Sequence, residues 1–287
     1  MYPAKPVSSP IGIFDSGVGG LSVLKAIRQE LPQEAVIYLA DQAHVPYGLR
    51  PLDEVRQFSE KMTEYLLARS AKLVVVACNA ASAAALAALR QSYPEITFVG
   101  MEPAVKPAAE TTQTGRVGVL ATPATFQGAL YASVIERFAN DVTVLQDTCP
   151  GLVAQIEAGE LNHPDTRRIL EKALNPMLAA GIDTIVLGCT HYPFVIPLIE
   201  EISGPGVRVI DPAPAVARQV RRVLEAGKSL APASSERKTQ AQINYLTSGD
   251  PAALESLLPQ LVGETGVVRS IQWQDGRLID RAENLSK

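Results

Sequence analysis

Two uncharged, apolar runs constrain this chain more than any other feature, because each ends or breaks at a cysteine followed by a polar residue. They are "LVVVACNAASAAALAAL" at 73–89 and "TIVLGCTHYPFV" at 184–195. The first is shorter than the ~20 apolar residues that a membrane span needs, and Asn79 and Ser82 interrupt it. We therefore predict a buried strand over 73–77 and an alanine-rich helix from about Asn79 to Arg90, since alanine is the strongest helix former.

The rest of the chain repeats this alternation of strand and helix. Strand patterns cover 11–17 and 35–41, and helix patterns cover 21–31 and 52–69. Valine-rich strands without polar alternation are typical of a parallel sheet that is covered on both faces. The sequence thus predicts an α/β protein with right-handed crossover connections.

A second α/β unit begins at "RVGVLATPATFQGALY", 116–131. The spacing from Gly12 to Gly118 nearly equals the spacing from Cys78 to Cys189, which indicates an internal duplication. Ligands of open parallel sheets bind outside the carboxyl ends of the strands. Two such units facing each other would form one cleft with a cysteine on each side.

Composition and charge exclude several classes of function. The chain has 287 residues, a net charge of −4 and no block of Lys and Arg, so no nucleic-acid footprint is visible. Three cysteines and three histidines, without CxxC or HExxH, predict neither a disulfide framework nor a zinc site. Residues 1–10 lack an apolar signal region, so a reducing cytoplasm is the expected location.

The two repeated cysteines are the leading candidates for chemistry. A lone free cysteine is usually a small buried hydrophobe. However, Cys78 falls where a strand ends and a helix begins, and backbone N–H groups and the helix dipole there should lower its pKa. Cys189 repeats the arrangement. His191 follows two residues later, either as a helix cap or as an acid/base partner of Cys189.

The segment "DSGVGG", 15–20, allows three interpretations. Asp15 and Ser16 are common helix caps, but Asp15 could also be a carboxylate that serves Cys78 as His191 serves Cys189. The glycines match G-x-G-x-x-G only in part, because Ser22 occupies the third glycine position, although Asp41 could mimic a ribose-binding acid. A tight strand-to-helix turn explains the glycines equally well.

The remaining segments carry weaker signals. "VPYGLR" at 45–50 has the composition of a rigid turn whose N–H groups could hold an anion. His44 and His163 are interpreted as ordinary surface or loop residues, and Cys149 as a structural residue in a turn. Residues 226–240 are predicted to be a linker or surface loop, followed by a strand and turn and then a helix over 251–262. The sequence does not predict where this C-terminal part packs.

Five segments together resemble the glutamate racemases of the cofactor-independent aspartate/glutamate racemase superfamily. They are "FDSGVGG" at 14–20, "VPYG" at 45–48, "VVACNAAS" at 75–82, "CPGLVAQIEAG" at 149–159 and "IVLGCTHYP" at 185–193. The resemblance covers about 11–225 and includes "LTSGD" at 246–250. It implies two flavodoxin-like α/β domains that are related by pseudo-symmetry and close over free glutamate, with no pyridoxal phosphate and no metal.

The resemblance also implies a division of the chain and of the chemistry. The first domain would combine 11–103 with 213–287, and the second would be 104–212. Cys78 would remove the α-proton of D-glutamate with help from Asp15, and Cys189 that of L-glutamate with help from His191 and Glu157. The product would supply peptidoglycan synthesis, and a homodimer is compatible with the resemblance. Positions matching the substrate site are Ser16, Pro46, Tyr47, Gly48, Asn79, Ala80, Thr122, Thr125 and Thr190, together with Asp15 and His191.

One residue departs from the family pattern. The family usually has Cys-Asn-Thr, and Ala80 replaces that threonine here. A lost hydroxyl removes one hydrogen bond, worth about 1–3 kcal/mol when the partner is charged. We therefore expect weaker substrate binding but intact chemistry, since both thiols remain.

Four other functions stay open from the residues alone. Racemisation assays with aspartate and with glutamate would distinguish a racemase of aspartate from a racemase of glutamate. A redox module would need the two cysteine Cα atoms within ~7 Å of each other. A two-lobed sensor would bind its ligand without exchange of the α-proton. A nucleotide-binding dehydrogenase has only the incomplete glycine motif in its favour.

Overall fold

The computed structural model describes residues 6–232 and 241–281, and every structural statement below concerns these residues. Their strands are β1 (Ile11–Asp15), β2 (Val36–Ala40), β3 (Leu73–Val76), β4 (Phe98–Gly100), β5 (Arg116–Ala121), β6 (Thr143–Asp147), β7 (Thr184–Gly188), β8 (Arg208–Ile210), β9 (Ile243–Thr247), β10 (Val268–Gln274) and β11 (Arg277–Asp280). Their α-helices are α1 (Leu21–Glu30), α2 (Leu52–Ala68), α3 (Asn79–Ser92), α4 (Val105–Thr111), α5 (Pro123–Gln127), α6 (Ala129–Phe138), α7 (Leu152–Glu157), α8 (Pro164–Ala179), α9 (Ile196–Ser203), α10 (Ala213–Ala226) and α11 (Pro251–Val262).

The strands form two separate sheets. The first has the order β11-β10-β9-β2-β1-β3-β4, and all its pairs are parallel except β10 with β11. The second has the order β6-β5-β7-β8 and is entirely parallel. The predicted α/β class with two parallel-sheet units is therefore confirmed.

The central strands of both sheets are buried on both faces, as their apolar sequences predicted. Every residue of β1, β3 and β7 is buried. On the first sheet, α1 packs against α10 on one face, while α2 packs against α3 on the other. On the second sheet, α8 packs against α9, and α4 packs against α6. Each buried Val, Leu or Ile side chain contributes about 1.5–3 kcal/mol, so these layers hold the strand ends in fixed positions.

The C-terminal part of the chain completes the first sheet. β9 pairs in parallel with β2, and β10 and β11 extend the same edge. The strand over β9 and the helix α11 agree with the sequence prediction, but β10 and β11 were not predicted. Their sequences, "VRSIQWQ" and "RLID", mix polar and apolar residues because one face of this edge is partly exposed. The predicted linker 226–240 begins at the end of α10, and its residues 233–240 lie outside the described residues.

The parallel arrangement brings selected residues to one end of each sheet. In the first sheet β1 ends at Asp15 and β3 ends just before Ala77 and Cys78. In the second sheet β5 ends just before Thr122 and β7 just before Cys189. Among the described residues, no helix is both long enough and apolar enough to cross a membrane.

Candidate active site

A small cavity lies between the carboxyl ends of the two sheets, and both predicted thiols line it. Its volume is about 20 Å³, which is room for roughly one water molecule. We call the lining residues carried by the first sheet the first wall: Ser16, Pro46, Tyr47, Gly48, Cys78, Asn79 and Ala80. The second wall comprises the lining residues carried by the second sheet: Thr122, Val153, Cys189, Thr190 and His191.

On the first wall, Cys78 lies directly before helix α3. Its backbone is extended and its side chain is buried, with Sγ 4.0 Å from Ser16 Oγ. Asp15 lies beside it, fully buried at the end of β1. The Asp15 carboxylate accepts hydrogen bonds from the N–H groups of Ser16, at 2.7 Å, and Gly20. It also accepts a bond from Thr190 Oγ1 of the second wall at 3.3 Å, so the two walls are joined at this carboxylate.

The protonation of the first wall differs from the sequence prediction. The position of Cys78 before a helix predicted a lowered pKa, but burial and the neighbouring Asp15 carboxylate raise the pKa of its thiol well above the ordinary range. Burial likewise raises the pKa of Asp15, although His191 and a hydrogen bond with Cys78 act in the opposite direction. Desolvation therefore outweighs the helix N-terminus, and the closed first wall favours the uncharged thiol.

On the second wall, Cys189 faces an imidazole paired with a carboxylate. Cys189 Sγ lies 3.7 Å from His191 Nδ1, and His191 Nε2 lies 2.6 Å from Glu157 Oε1. Burial opposes a charge on His191, but hydrogen bonds with Cys189 and Glu157 hold its pKa well above the ordinary value. Burial also opposes ionisation of Glu157, but its bonds with His191, Val18 and Gln42 lower its pKa. The geometry thus favours an imidazolium–carboxylate pair behind Cys189.

Cys189 does not repeat the local structure of Cys78, which corrects the prediction. α3 begins immediately after Cys78, whereas Cys189 is followed by a turn and a short 3-10 segment, Tyr192–Val195. The α-helix of this unit starts only at Ile196. The turn brings His191 back beside Cys189, because the Tyr192 N–H donates to the carbonyl oxygen of Cys189 at 3.1 Å.

The glycines of "DSGVGG" are explained by close approach between the walls. A Cβ added at Gly17 would lie 1.9 Å from Glu157 Oε1, and one at Gly19 would lie 2.4 Å from His191 Nδ1. Gly48 is equally restricted, since its Cβ would lie 2.4 Å from Thr122 Cβ. The first two glycines therefore admit the acid/base groups of the second wall, a reason that the sequence analysis did not consider.

The segment 45–50 is held by Asp41, and this corrects the interpretation of His44. Asp41 is fully buried and accepts hydrogen bonds from Tyr47 Oη at 2.6 Å and from Trp273 Nε1 at 2.6 Å. His44 Nδ1 lies 2.9 Å from Asp41 Oδ2, and its ring stacks on Phe58. His44 is thus part of the support of Tyr47 rather than an ordinary surface residue. His163, by contrast, caps α8 near the surface.

The other predicted binding residues differ in whether they line the cavity and in what they present to it. Asn79 is buried, and neither polar atom of its side chain has a hydrogen-bond partner among the described residues, which suits a ligand contact in the cavity. Ala80 presents only a methyl group to the same cavity. Thr125 does not line it, but its hydroxyl lies 3.2 Å from that of Thr122, which does. Cys149 is buried in a turn with a positive φ, as a structural cysteine would be.

Sequence reasoning missed several residues that support the site. Val153 lines the cavity, Val18 donates its N–H to Glu157 Oε1 at 2.8 Å, and Gln42 Nε2 donates to Glu157 Oε2 at 3.1 Å. Gln42 follows β2 closely, so the rule that singled out Asp15 at the end of β1 could also have found it. No sequence signal marks Val153 or the backbone of Val18.

The described residues contain no group of three or more His, Cys, Asp and Glu side chains arranged to hold a metal ion. All three cysteines are free thiols, so Cys78 and Cys189 are not joined to each other. Two buried thiols, a carboxylate and an imidazole–carboxylate pair are groups that accept and donate protons.

Comparisons with known proteins define the class and then the family. A family model described as Asp/Glu/Hydantoin racemase matches residues 11–220. The glutamate racemase of Pseudomonas paraeruginosa is 51% identical over 256 residues, which cover 89% of this chain and 95% of that protein. The chain therefore belongs to the glutamate racemases, a family of cofactor-independent isomerases.

Solved structures agree with this assignment. A glutamate racemase isoform from Bacillus anthracis matches with a TM-score of 0.80 and 31% identity, covering 94% of this chain and 98% of that one. The Escherichia coli glutamate racemase in complex with L-glutamate and an activator matches with a TM-score of 0.77 and 33% identity, covering 91% of this chain and 97% of that one.

Proposed function

We propose that this chain interconverts L- and D-glutamate through two thiols acting on opposite faces of the α-carbon. The observation that carries the proposal is the pair of free, buried cysteines, Cys78 and Cys189, on facing walls of one cavity. The binding of L-glutamate by the Escherichia coli relative supports glutamate as the substrate.

Inversion at a carbon centre explains why two bases are needed. A single base returns the proton to the face from which it came, unless the substrate turns over. With L-glutamate, the Cys189 thiolate takes the α-proton and becomes a thiol, and the C–H electron pair remains on the α-carbon. The Cys78 thiol then donates its proton to the opposite face and becomes a thiolate. The reverse sequence converts D-glutamate, so atoms and charge balance in both directions.

We assign different helpers to the two thiols. Asp15 assists Cys78, since its carboxylate shares a hydrogen bond with that thiol and can take up and return the thiol proton. His191, held by Glu157, assists Cys189 across the 3.7 Å contact between Sγ and Nδ1. The proposed contacts to the polar groups of glutamate are the side chain of Asn79, which has no hydrogen-bond partner among the described residues, and the hydroxyls of Ser16, Thr122 and Thr190. Tyr47 and Gly48 shape the cavity around the substrate, and Thr125 supports Thr122.

We infer from the small cavity that the protein opens to admit its substrate. Glutamate has ten heavy atoms, whereas the cavity holds roughly one water. We propose that 11–103 with 213–287 and 104–212 are two domains that separate and close again over the ligand. The division follows the two sheets, since β1–β4 and β9–β11 belong to one and β5–β8 to the other. We further propose that the enzyme acts in the cytoplasm, where both thiols stay reduced, and supplies D-glutamate for peptidoglycan.

Incubation with each enantiomer in D2O tests the proposal. Circular dichroism should show both L- and D-glutamate decaying to the same racemic mixture, and mass spectrometry should show one deuterium entering the product. L- and D-aspartate serve as the comparison substrates and should react far more slowly. Loss of optical activity with aspartate alone would assign a different substrate, and binding of glutamate without deuterium incorporation would indicate a sensor.

A further inference from the structure

A chain of hydrogen bonds through two side chains, those of Thr247 and Gln42, leads from the C-terminal part of the first sheet to the pair formed by Glu157 and His191. The Gly249 N–H donates to Thr247 Oγ1 at 2.9 Å, and Thr247 Oγ1 donates to Gln42 Oε1 at 2.7 Å. Gln42 Nε2 then donates to Glu157 Oε2 at 3.1 Å. The other oxygen of Glu157 lies 2.6 Å from His191 Nε2.

The chemistry of these groups fixes the direction of every bond in the chain. A hydroxyl has one proton, and an ionised carboxylate only accepts. Since Thr247 Oγ1 accepts from Gly249, its own proton is available to the carbonyl oxygen of Gln42. The amide NH2 of Gln42 is thereby turned toward the carboxylate of Glu157. Thr247 is fully buried on β9, so its hydroxyl has a fixed position.

The chain of bonds crosses between the two sheets at one point. Thr247 lies on β9 of the first sheet and Gln42 follows β2 of the same sheet, whereas Glu157 lies at the end of α7, between β6 and β7 of the second sheet. If the sheets separate to admit glutamate, the Glu157–His191 contact remains within the second unit. The contacts that Gln42 and the Val18 N–H make with Glu157 cross between the two units, so closure would form them, as it would form the bond from Thr190 to Asp15.

From this arrangement we infer that Gln42 is a positioning residue, aligned by Thr247, that fixes Glu157 against His191 when the two walls close. The inference rests on the proposed function, because it gives Gln42 a role only through the Cys189 side of the reaction. It assigns the C-terminal segment a part in catalysis, since the orienting hydroxyl comes from β9. Closure would then both confine the substrate and complete the acid/base group that serves Cys189.

The inference has a signature in the pH dependence of the reaction. Glu157 faces His191, with Asp15 and Tyr38 as further titratable neighbours, and Gln42 is one of the donors that lower its pKa. Burial raises the pKa of Glu157 and its hydrogen bonds lower it, so the pKa should rise when the hydrogen bond from Gln42 is removed. The part of the acidic loss of kcat/KM that comes from protonation of Glu157 should therefore move to higher pH.

Gln42→Met removes the amide at nearly constant length and tests the inference directly. We expect kcat/KM to fall by about ten- to a hundredfold in both directions, the size expected for one lost hydrogen bond to a charged group. The α-deuterium isotope effect should rise with labelled L-glutamate and fall with labelled D-glutamate, because proton transfer at Cys189 becomes the slower step. Gln146→Met is the matched control, since the side chain of Gln146 makes one hydrogen bond within the described part of the chain, to Tyr131 Oη, and does not line the cavity.

Thr247 provides a second, independent test. Thr247→Val keeps the shape but removes the hydroxyl that orients Gln42, and it should reproduce the isotope effects of Gln42→Met in weaker form. Thr247→Ser restores the hydroxyl and should restore wild-type isotope effects. The inference is wrong if Gln42→Met has the same isotope effects and the same acidic limb as Gln146→Met. It is also wrong if Thr247→Val and Thr247→Ser give the same isotope effects.

Cys189→Ala tests the proposed function separately. If the proposed function is wrong, this variant should still racemise glutamate; if only the role of Gln42 is wrong, it should be inactive.

Discussion

The two walls of the cleft share a backbone plan but differ in the groups that surround the thiols. In each, a parallel strand ends just before a cysteine, and the next residue is polar: Asn79 on the first wall and Thr190 on the second. Two residues after the cysteine the walls diverge, because Ala80 presents a methyl group and His191 an imidazole. The carboxylates diverge as well, since Asp15 adjoins its thiol whereas Glu157 acts behind the imidazole.

The difference teaches how two similar α/β units can serve an asymmetric task. The two units supply strand ends that face each other, which is the symmetric part of what the proposed two-base mechanism requires. The substrate itself is not symmetric about the α-carbon, so the groups that bind its carboxylate, ammonium and side chain must differ between the walls. Burial raises the pKa of Asp15, whereas hydrogen bonds from partners on both sheets lower that of Glu157. The carboxyl groups proposed to serve the two thiols therefore have pKa values shifted in opposite directions.

Removing either thiol should have the largest effect. It tests whether the thiols of both walls are required for racemisation. Cys78→Ala and Cys189→Ala should each stop racemisation, with a loss larger than the roughly 10⁴-fold upper range of a positioned acid/base group. The measurement is circular dichroism from both enantiomers. Cys149→Ala is the control, because Cys149 is an equally buried free thiol that does not line the cavity. If Cys189→Ala still interconverts the two enantiomers of glutamate, the two-base mechanism is wrong.

Removing a helper should slow the reaction without stopping it and should reveal the asymmetry. Asp15→Asn and His191→Asn leave both thiols in place, so each should lower kcat/KM by about 10²–10⁴-fold. The ratio of kcat/KM in the two directions stays fixed by the equilibrium constant, so the difference must be sought in α-deuterium isotope effects. We expect His191→Asn to raise the effect from L-glutamate and Asp15→Asn to raise that from D-glutamate. Identical isotope effects in the two variants would contradict the assignment of separate helpers.

A methyl group at Gly17 should disrupt the contact between the two walls without changing the thiol of either wall. Its Cβ would overlap Glu157 Oε1 at 1.9 Å, so Glu157 must move away from His191 or the walls must separate. Displacement of a catalytic group by about 1 Å can cost about 10²-fold, and we expect a loss of this size for Gly17→Ala. Gly206→Ala is the control, since nothing lies within 4 Å of its added Cβ. Equal activity of the two variants, measured with both enantiomers, would show that the close approach is not required.

Much of this architecture could be predicted from the sequence, because it follows from local patterns. The apolar strands and the alternation with helices gave the α/β class, and the rule that ligands bind at strand ends brought Cys78, Cys189 and Asp15 together. Glu157 and the threonines came only through the family resemblance. No periodicity links residue 157 to residue 191.

What could not be predicted depends on contacts between distant parts of the chain. The pKa of Cys78 was expected to be low from its place before α3, but burial and Asp15 reverse the shift. His44 carried no pattern because its partners, Asp41 and Phe58, are known only from the fold. β10 and β11 form a partly exposed edge whose mixed sequence is no clear strand signal, although Trp273 on β10 supports the site through Asp41.

The smallest expected effect concerns stability against pH, where the two walls should respond in different ranges. A group whose pKa is raised in the folded protein stabilises it fully below its unfolded pKa, and this contribution is lost as pH rises through the folded pKa. His191 is such a group, with an ordinary pKa of 6.5, and so is Asp15, with an ordinary pKa of 3.8. Glu157 has the opposite sign, because its pKa is lowered. Its contribution is present above the ordinary value of 4.5 and is lost as pH falls through the folded pKa.

Between pH 6.5 and 8.5 the second wall is tested by comparing the wild type with His191→Asn, because the ordinary pKa of His191 lies at the lower end of this range, whereas the ordinary values of the two carboxyl groups, 3.8 and 4.5, lie below it and that of a thiol, 9.0, lies above it. In this range His191 makes the folded protein bind one proton more than the unfolded chain, so its contribution should lower the free energy of unfolding with a slope approaching ~1.4 kcal/mol per pH unit. Urea unfolding at several pH values measures this slope. His191→Asn should remove it and His163→Asn should not, because His163 lies near the surface at the start of α8. If His191→Asn keeps the wild-type slope, the imidazole of His191 is uncharged in the closed protein. Cys189 would then face a neutral partner. The two walls would be alike in this respect, because Cys78 faces a carboxyl group that burial drives toward its neutral form.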